Sequence, residues 1–424
     1  MSPTFRALKN HNYRLYAAGG VVSNTGTWMQ RIAQDWLVLQ LAPNHAAVST
    51  NIGITTGLQF LPILLFSAYA GVIADRVSKR RLLQWTQAWL AVSAALLGVL
   101  ALSGAAQTWM VFVLSFVFGV GTAFDAPARQ SFVSEMVGPD DLSNAVGLNS
   151  ATFNLARIVG PAVAGLMIAA LGSGVRATGV VILVNAVSYV AVIYALSRMR
   201  AADLAVVERV PRGKGMIRDG LRYVRGRPDI MLILAIVFFV GTFGMNFQMT
   251  SALMATQVYH KGAGEFGLLG STMAVGSLAG ALLGARRIGR PRQRLVIGGA
   301  VAFAAVEIAL GLMPSYLLFV LVTPVLGFTV LTMINAANTS VQLSTSPLMR
   351  GRVMALYMMI FQGGTPFGSP VVGWVGATFG ARWTLIGGGL ISMLGVLVAV
   401  AVFTRTQGVV IRPHVERAVR TPVG

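Results

Sequence analysis

Five ionisable side chains stand where the sequence is otherwise apolar: Arg31, Asp35, Asp125, Arg157 and Glu307. A charge inside a long hydrophobic stretch is costly to keep, which makes each a candidate for function by default. Arg31 and Asp35 are four residues apart, as are Asp125 and Arg129, so on a helix each pair shares a face and can join. A carboxyl in such a place can take up and release a proton, and an arginine beside it can hold an anion or set when the proton leaves. The plainer alternative is a buried salt bridge that fixes helix packing. Glu307 has no charged residue at helical spacing, and nothing in the sequence assigns it a role.

Other chemistries find no carriers. There are no cysteines, which excludes disulfides, thiolate metal sites and thiol catalysis. The four histidines, at 11, 45, 260 and 414, fall in tails or loops or just past an apolar run. No His-Glu-x-x-His helix and no Gly-x-Ser-x-Gly turn occurs, so neither an enzyme nor a metal site is expected. A Gly-x-x-x-x-Gly-Lys-Ser/Thr loop is missing too, so no cofactor is expected and the energy source should be an ion gradient.

The elements that must position these side chains are membrane helices. Of 424 residues, 55% are hydrophobic and 11% charged, with a mean hydropathy of +0.71. A bilayer-crossing helix needs roughly 20 mostly apolar residues. Twelve such runs are predicted, at 14–41, 50–74, 82–103, 108–128, 143–171, 178–198, 229–257, 266–287, 293–313, 315–342, 352–379 and 382–404. They lack the ten-residue alternation of a transmembrane barrel. The expected fold is an all-α polytopic membrane protein with twelve transmembrane helices. Residues 1–13 are polar and basic, and no cleavable signal is expected.

The net charge of +20 is informative through its placement. All but five of the 33 basic residues lie in the two tails and in every second gap between runs. Arg176, Lys261 and Arg382 fall on the opposite side, and Arg31 and Arg157 lie inside runs. The asymmetry predicts that both termini are cytoplasmic. It names anionic lipid headgroups as the partner of this charge and leaves no nucleic-acid partner to expect.

The longest polar stretch divides the chain six and six. Residues 1–198 form an amino-terminal bundle, 199–228 a basic linker with Arg209, Pro211, Arg212, Gly213 and Lys214, 229–404 a carboxy-terminal bundle, and 405–424 a tail. The segment Met216–Arg227 has the pattern of a short amphipathic helix on the cytoplasmic surface. The halves repeat. A shift of 208 residues superposes Gly119 on Gly327, Ala128 on Ala336, Pro139 on Pro347, Leu148 on Leu356, Phe153 on Phe361, Gly160 on Gly368 and Gly165 on Gly373, with Asn154 meeting Gln362. A weaker match, at a shift of 209, pairs Ala70 and Gly71 with Ala279 and Gly280. Two similar six-helix halves describe two pseudo-repeat bundles with a substrate site between them.

After the second run comes Gly71-Val-Ile-Ala-Asp75-Arg76-Val-Ser78-Lys79-Arg80-Arg81. It resembles the loop signature of the major facilitator superfamily, with Ser78 where that pattern usually has Gly. The second half carries a copy without the acid, Gly280-Ala-Leu-Leu-Gly284-Ala-Arg286-Arg287-Ile-Gly-Arg290, whose glycines, with Gly276, suit close helix packing. Arg157-Ile-Val-Gly160-Pro161-Ala-Val-Ala164-Gly165 resembles the motif of exporters that exchange substrate for protons, with Ala164 where a second Gly is usual. Pro161 should kink its helix. Phe5-Arg-Ala-Leu, Tyr13-Arg14, Ser23-Asn-Thr-Gly26-Thr-Trp28-Met29 and Phe124-Asp125-Ala-Pro127-Ala-Arg129-Gln130 resemble the branch with enterobactin-type siderophore exporters and actinobacterial drug-efflux proteins.

The resemblance implies a secondary transporter that works by alternating access as a monomer in a bacterial cytoplasmic membrane. Its partners are a small-molecule substrate and protons. It implies that the first and fifth helices line a central cavity, so Arg157 would approach Asp35 and Arg31, with Asp35 as the protonation site. Asp75, Arg76 and Arg80 of the loop would join Asp125, Arg129 and Glu135 in a gate at the cytoplasmic mouth. Amides and soft apolar groups would line the cavity: Gln34, Gln59, Asn149, Asn154, Asn246, Gln248, Asn335, Asn338 and Gln362, with Met249, Met333 and Phe361 among them. Met adapts to varied shapes, and amides both donate and accept, which suits a large amphipathic cargo. Export of drug-like or siderophore-like compounds is the leading expectation. An importer or facilitator of a small metabolite shares the fold, and a membrane enzyme or sensor is the remote rival.

Overall fold

A computed structural model describes residues 3–205, 216–285 and 293–406. The linker residues Arg209, Pro211, Arg212, Gly213 and Lys214, the second-half basic cluster Arg286, Arg287 and Arg290, and most of the 405–424 tail, with His414, lie outside the described residues.

The first half holds α1 (His11–Leu41), α2 (His45–Arg76), α3 (Lys79–Ser103), α4 (Thr108–Met136), α5 (Pro139–Ala170) and α6 (Val175–Ser197). A short linker helix follows, α7 (Met216–Arg225). The second half holds α8 (Pro228–Val258), α9 (Ala263–Ala285), α10 (Gln293–Leu312), α11 (Tyr316–Ser344), α12 (Pro347–Gly363), α13 (Thr365–Phe379) and α14 (Ala381–Thr406). Among the described residues, ten helices are long and apolar enough to cross a membrane by length and composition. The eleventh span is split into α12 and α13 at Gly364, and α1 is diluted by Asn, Gln, Arg and Asp. With these the count is the expected twelve.

Several helices outrun their apolar cores because polar residues cap them. Asn10 accepts from the Tyr13 N–H and Asn44 from the Ala47 N–H, satisfying donors that a helix start leaves bare. Gly104 ends α3 in the left-handed conformation at φ 78°. Pro139 opens α5, and Asp140 and Asp141 occupy its first turn, where carboxylates meet the positive end of the helix dipole. His45, just past the first apolar run, is the first residue of α2.

Two expected continuous spans are broken. Within α8, π-turns at Val240–Gly244 and Met254–Val258 flank a short α-helix at Phe247–Leu253. The break at Met245–Asn246 is capped by Asn246, which donates to the Thr242 and Phe243 carbonyls and accepts from Ser369 Oγ at 2.7 Å. Pro161, expected to kink α5, lies within the single helix Pro139–Ala170.

The packing obeys a two-fold rule. Gly119 of α4 fits against the Gln59 carbonyl of α2, and Gly327 of α11 against the Met273 carbonyl of α9. Gly160 of α5 lies on the Thr25 carbonyl of α1, and Gly368 of α13 on the Thr242 carbonyl of α8. Gly98 of α3 meets the Gly179 carbonyl and Leu183 of α6, and Gly311 of α10 meets the Arg382 carbonyl and Ile386 of α14. The 208-residue shift therefore relates real structural equivalents. The 209-residue match does not: by packing, α2 and α9 correspond at a shift of 214, which pairs Gly53 with Gly267 and leaves Gly71 opposite Ala285.

The halves touch along two seams related by the same rule. A Cβ on Gly165 of α5 would lie 2.5 Å from the Ala263 carbonyl and 3.0 Å from Gly267 Cα of α9. A Cβ on Gly373 of α13 would lie 2.6 Å from the Ser49 carbonyl and 3.2 Å from Gly53 Cα of α2. Small residues let helix backbones approach this closely in lipid. Both seams lie at the end of the molecule away from the two termini. At the terminal end, α4 and α11 find their packing partners inside their own halves. The linker helix belongs to the second half: Tyr223 Oη accepts from the Ser346 N–H, Arg227 donates to the Ser344 carbonyl, and Asp219 pairs with Arg352. The Ser346 N–H, aided by Arg227, holds the Tyr223 hydroxyl below the usual phenol range.

Candidate functional site

Asp35 is buried in α1 and accepts a hydrogen bond from Gln248 Nε2 at 2.8 Å. Gln248 lies in the short helix just beyond the break in α8, so this bond crosses between the halves. Arg31 does not pair with Asp35 as its spacing allowed: among the described residues no ion pair joins them. Its guanidinium instead lies 4.9 Å from the ring centre of Trp28 and 5.7 Å from that of Phe60. Arg157 approaches the same indole at 5.8 Å and reaches Ser277 Oγ of α9 at 3.3 Å. The indole thus sits between two cations, each attracted to its face by about 0.5–2 kcal/mol. Residue spacing on one helix shows what can meet along it. It does not show that the opposite half presents an amide to Asp35, or that Phe60 of α2 presents a ring to Arg31. Phe60 and Ser277 were therefore invisible as site residues, whereas Trp28, three residues before Arg31 on the same helix, was within reach of the spacing argument.

The antiporter-like motif is a packing element of this site. Gly160 admits Trp28 Cβ against α5, Pro161 presents its carbonyl to Gly267, and Gly165 forms the seam with α9. Ser271 Oγ donates to the Ile158 carbonyl across the same interface, and Gln257 Nε2 donates to the His45 carbonyl.

The expected gate resolves into two separate pairs, both inside the first half. Asp125 pairs with Arg129 at 2.8 Å and accepts from Thr86 and Gln87, each at 2.8 Å. Glu135 pairs with Lys79, not with Arg76, which is exposed. Arg80 donates to the Leu196 and Ser197 carbonyls, where a cation complements the exposed carbonyls at the end of α6. Gly71 is buried on α2, and the side chain of Asp75 lies outside the description.

Of the expected lining residues, the structure withdraws several. Gln34 is buried and donates to Ser115 Oγ. Asn246 has its polar atoms committed to the helix break, and Met249 and Met333 are buried in the core. Asn154 is half-buried beside Phe153, whose ring meets Trp28 edge-on at 5.8 Å. Gln248, Asn335, Asn338, Phe361 and Gln362 are half-buried. Among the described residues no group of three or more His, Asp or Glu gathers as metal ligands would.

Residues 2–410 match the transmembrane secretion effector family, part of the major facilitator superfamily. The chain belongs to that family. This secretion effector is a transporter and not an enzyme. It is 28% identical over 397 residues to the multidrug efflux pump Tap of Mycolicibacterium fortuitum, covering 91% of this chain and 94% of Tap. It is 22% identical over 348 residues to macrolide efflux protein A of Streptococcus pyogenes, covering 80% of this chain and 84% of that one. The staphyloferrin A transporter of Staphylococcus aureus matches at 34% identity over 145 residues, 34% of this chain and 36% of the transporter. Among solved structures, a D-xylose–proton symporter shares the fold at a TM-score of 0.70 and 13% identity, covering 92% of this chain and 96% of that one. An inward-facing bacterial homologue of the lysosomal transporter Spinster does so at 0.67 and 16%, covering 95% and 97%.

Proposed function

We propose that this transporter exports drug-like or siderophore-like amphipathic compounds in exchange for protons, with Asp35 as the coupling carboxyl. One observation carries the reading: a buried carboxyl in the first half is bonded to Gln248 of the second half at 2.8 Å. Protonation removes the charge that Gln248 stabilises, so proton and bundle contact are linked. Arg31 and Arg157, stacked on Trp28, offer cationic and aromatic surface to a cargo. Asn154, Gln248, Asn335, Asn338, Phe361 and Gln362 supply amide and apolar contacts at its edges. The named activities of Tap, macrolide efflux protein A and the staphyloferrin A transporter support the cargo class.

The same reading places both termini in the cytoplasm of a bacterium by the distribution of Arg and Lys, and has the chain act as a monomer. The bundles, 1–198 and 229–404, then rock about the midplane. The seams close the outer end and the cavity opens inward. Arg218, Arg222 and Arg225, exposed on α7, meet anionic headgroups. Asp125–Arg129 and Lys79–Glu135 act as gate pairs, made while the inner end is open and broken as it closes.

The test is dye or drug efflux from proteoliposomes under an imposed pH gradient. Wild type should respond to the gradient and Asp35→Asn should lose that response. A wild type indifferent to the gradient would move the protein to facilitated diffusion. An Asp35→Asn variant with full gradient-driven transport would remove Asp35 from the coupling role.

A further inference from the structure

Glu307 is a buried carboxyl in the second half that no role above employs and that no ion pair reaches among the described residues. It lies on α10, 1% exposed, and its Oε2 has no hydrogen-bond partner. Its carboxyl fills a slot between two glycines. A Cβ on Gly244, at the end of the α8 bulge, would stand 3.0 Å from Oε2, and one on Gly388 of α14 would stand 3.1 Å from Oε1. Ser392 Oγ lies beside the slot but donates to the Phe239 carbonyl. The titratable groups of the surrounding helices sit at their ends: Asp229 on α8, Arg294 on α10 itself, Tyr316 on α11, and Arg382 and Arg405 on α14. Arg382 is committed to the Gly311 and Met313 carbonyls.

An unpaired charge in such a place is costly, and a proton removes it. The slot also touches the moving part. Gly244 closes the bulge, and four residues later Gln248 bonds Asp35. One broken segment of α8 therefore leans on Glu307 with one end and on Asp35 with the other. A bulge of this kind has alternative hydrogen-bond arrangements close in energy, and is a frequent site of function.

We propose that Glu307 is a second proton-binding carboxyl, and that its protonation sets the Asp35–Gln248 contact through the broken segment of α8. The neutral acid fits the slot as it stands. Loss of the proton leaves a carboxylate that must draw donors from water or from the backbone of the bulge, which shifts the segment carrying Gln248. The coupling half of this proposal rests on the Asp35 reading, whereas the proton site itself does not.

The absence of native cysteine permits a clean test on the purified full-length chain in nanodiscs. Spin labels at Ala46→Cys and Thr378→Cys report the outer separation of α2 and α13 by electron–electron resonance from acid to alkaline buffer. Infrared difference spectra report titrating carboxyls. Wild type should show two protonation steps. Glu307→Gln should lose one step with its carboxyl band, Glu307→Asp should keep it at a shifted midpoint, and Asp35→Asn should lose the other. A Glu307→Gln protein with both steps and every titrating band overturns the proposal. So does a response at fixed pH to Na⁺ that Glu307→Gln abolishes, which would make the slot a metal-cation site. If Glu307→Gln does not accumulate, the wild-type infrared titration decides: a single titrating buried carboxyl overturns the proposal. If Asp35→Asn leaves both steps intact while Glu307→Gln removes one, the Asp35 reading fails and the Glu307 site stands.

Discussion

The same place in the two halves is built in opposite ways. The equivalence of Gly98 with Gly311 and of Gly179 with Arg382 puts Ala94 opposite Glu307 and Asn185 opposite Gly388. In the first half the space is closed by amides and hydroxyls. Asn185 donates to Gln30, Ser188 donates to Asn185 Oδ1, and Tyr189 meets Thr27 at 3.1 Å. Every buried polar group there has a partner, as stable cores require. In the second half, glycines replace the amides, a bulge interrupts the helix, and a carboxyl is left with a bare oxygen. One half uses the position to hold its helices together. The other keeps it free to change.

That contrast can be broken at several points. The largest effect is expected where the halves agree. Gly119→Leu and Gly327→Leu each force a side chain into a backbone carbonyl, and both should prevent folding or cost several kcal/mol, beyond the roughly 1–3 kcal/mol of ordinary overpacking. Thermal unfolding in detergent reads this, and a tolerant Gly327→Leu would undo the packing equivalence. Next come the seams. Gly165→Val and Gly373→Val should each open the outer end and reduce transport by about tenfold or more, the equivalent of some 1.4 kcal/mol. Spin-label distances between α2 and α13, and between α5 and α9, should lengthen in both, and a change in only one would deny their symmetry. Asn185→Ala strands Gln30 in a buried site and should cost about 1–3 kcal/mol while leaving any pH response alone. Glu307→Gln should do the reverse, with little loss of stability. The smallest effect is expected from Arg80→Ala, which removes a cation from the end of α6 and should cost about 1 kcal/mol or less, seen as a small fall in melting temperature.

Much of the frame was legible in the residues. Apolar length, the alternation of Arg and Lys, and the glycines at a 208-residue shift led to twelve spans and two repeats, because lipid leaves a backbone few choices. The break in α8 was not legible. It contains no proline, and Gly241 and Gly244 are unremarkable in a chain with 48 glycines. Asn246 read as a cavity amide because its partner Ser369 lies 123 residues away. The Arg31–Asp35 pair was displaced in part for the same reason: Asp35 found Gln248 of the other half, while Arg31 lies against Trp28 of its own helix and Phe60 of α2. The seventh span is among the most apolar, yet among the described residues it carries the most irregular backbone. That backbone is tolerated because it is surrounded by protein and not by lipid.

Trp28 has a further consequence. An indole beside two guanidinium groups is an optical reporter placed at the arginines proposed to meet the cargo. Trp85, Trp89, Trp109, Trp374 and Trp383 are exposed, and Trp36 is tied to the Ser173 carbonyl. The difference in emission between wild type and Trp28→Phe therefore isolates one chromophore, whose colour and quenching follow the arrival and departure of whatever displaces Arg31 or Arg157. Cargo could then be screened by light on the unlabelled protein, before any transport assay is built.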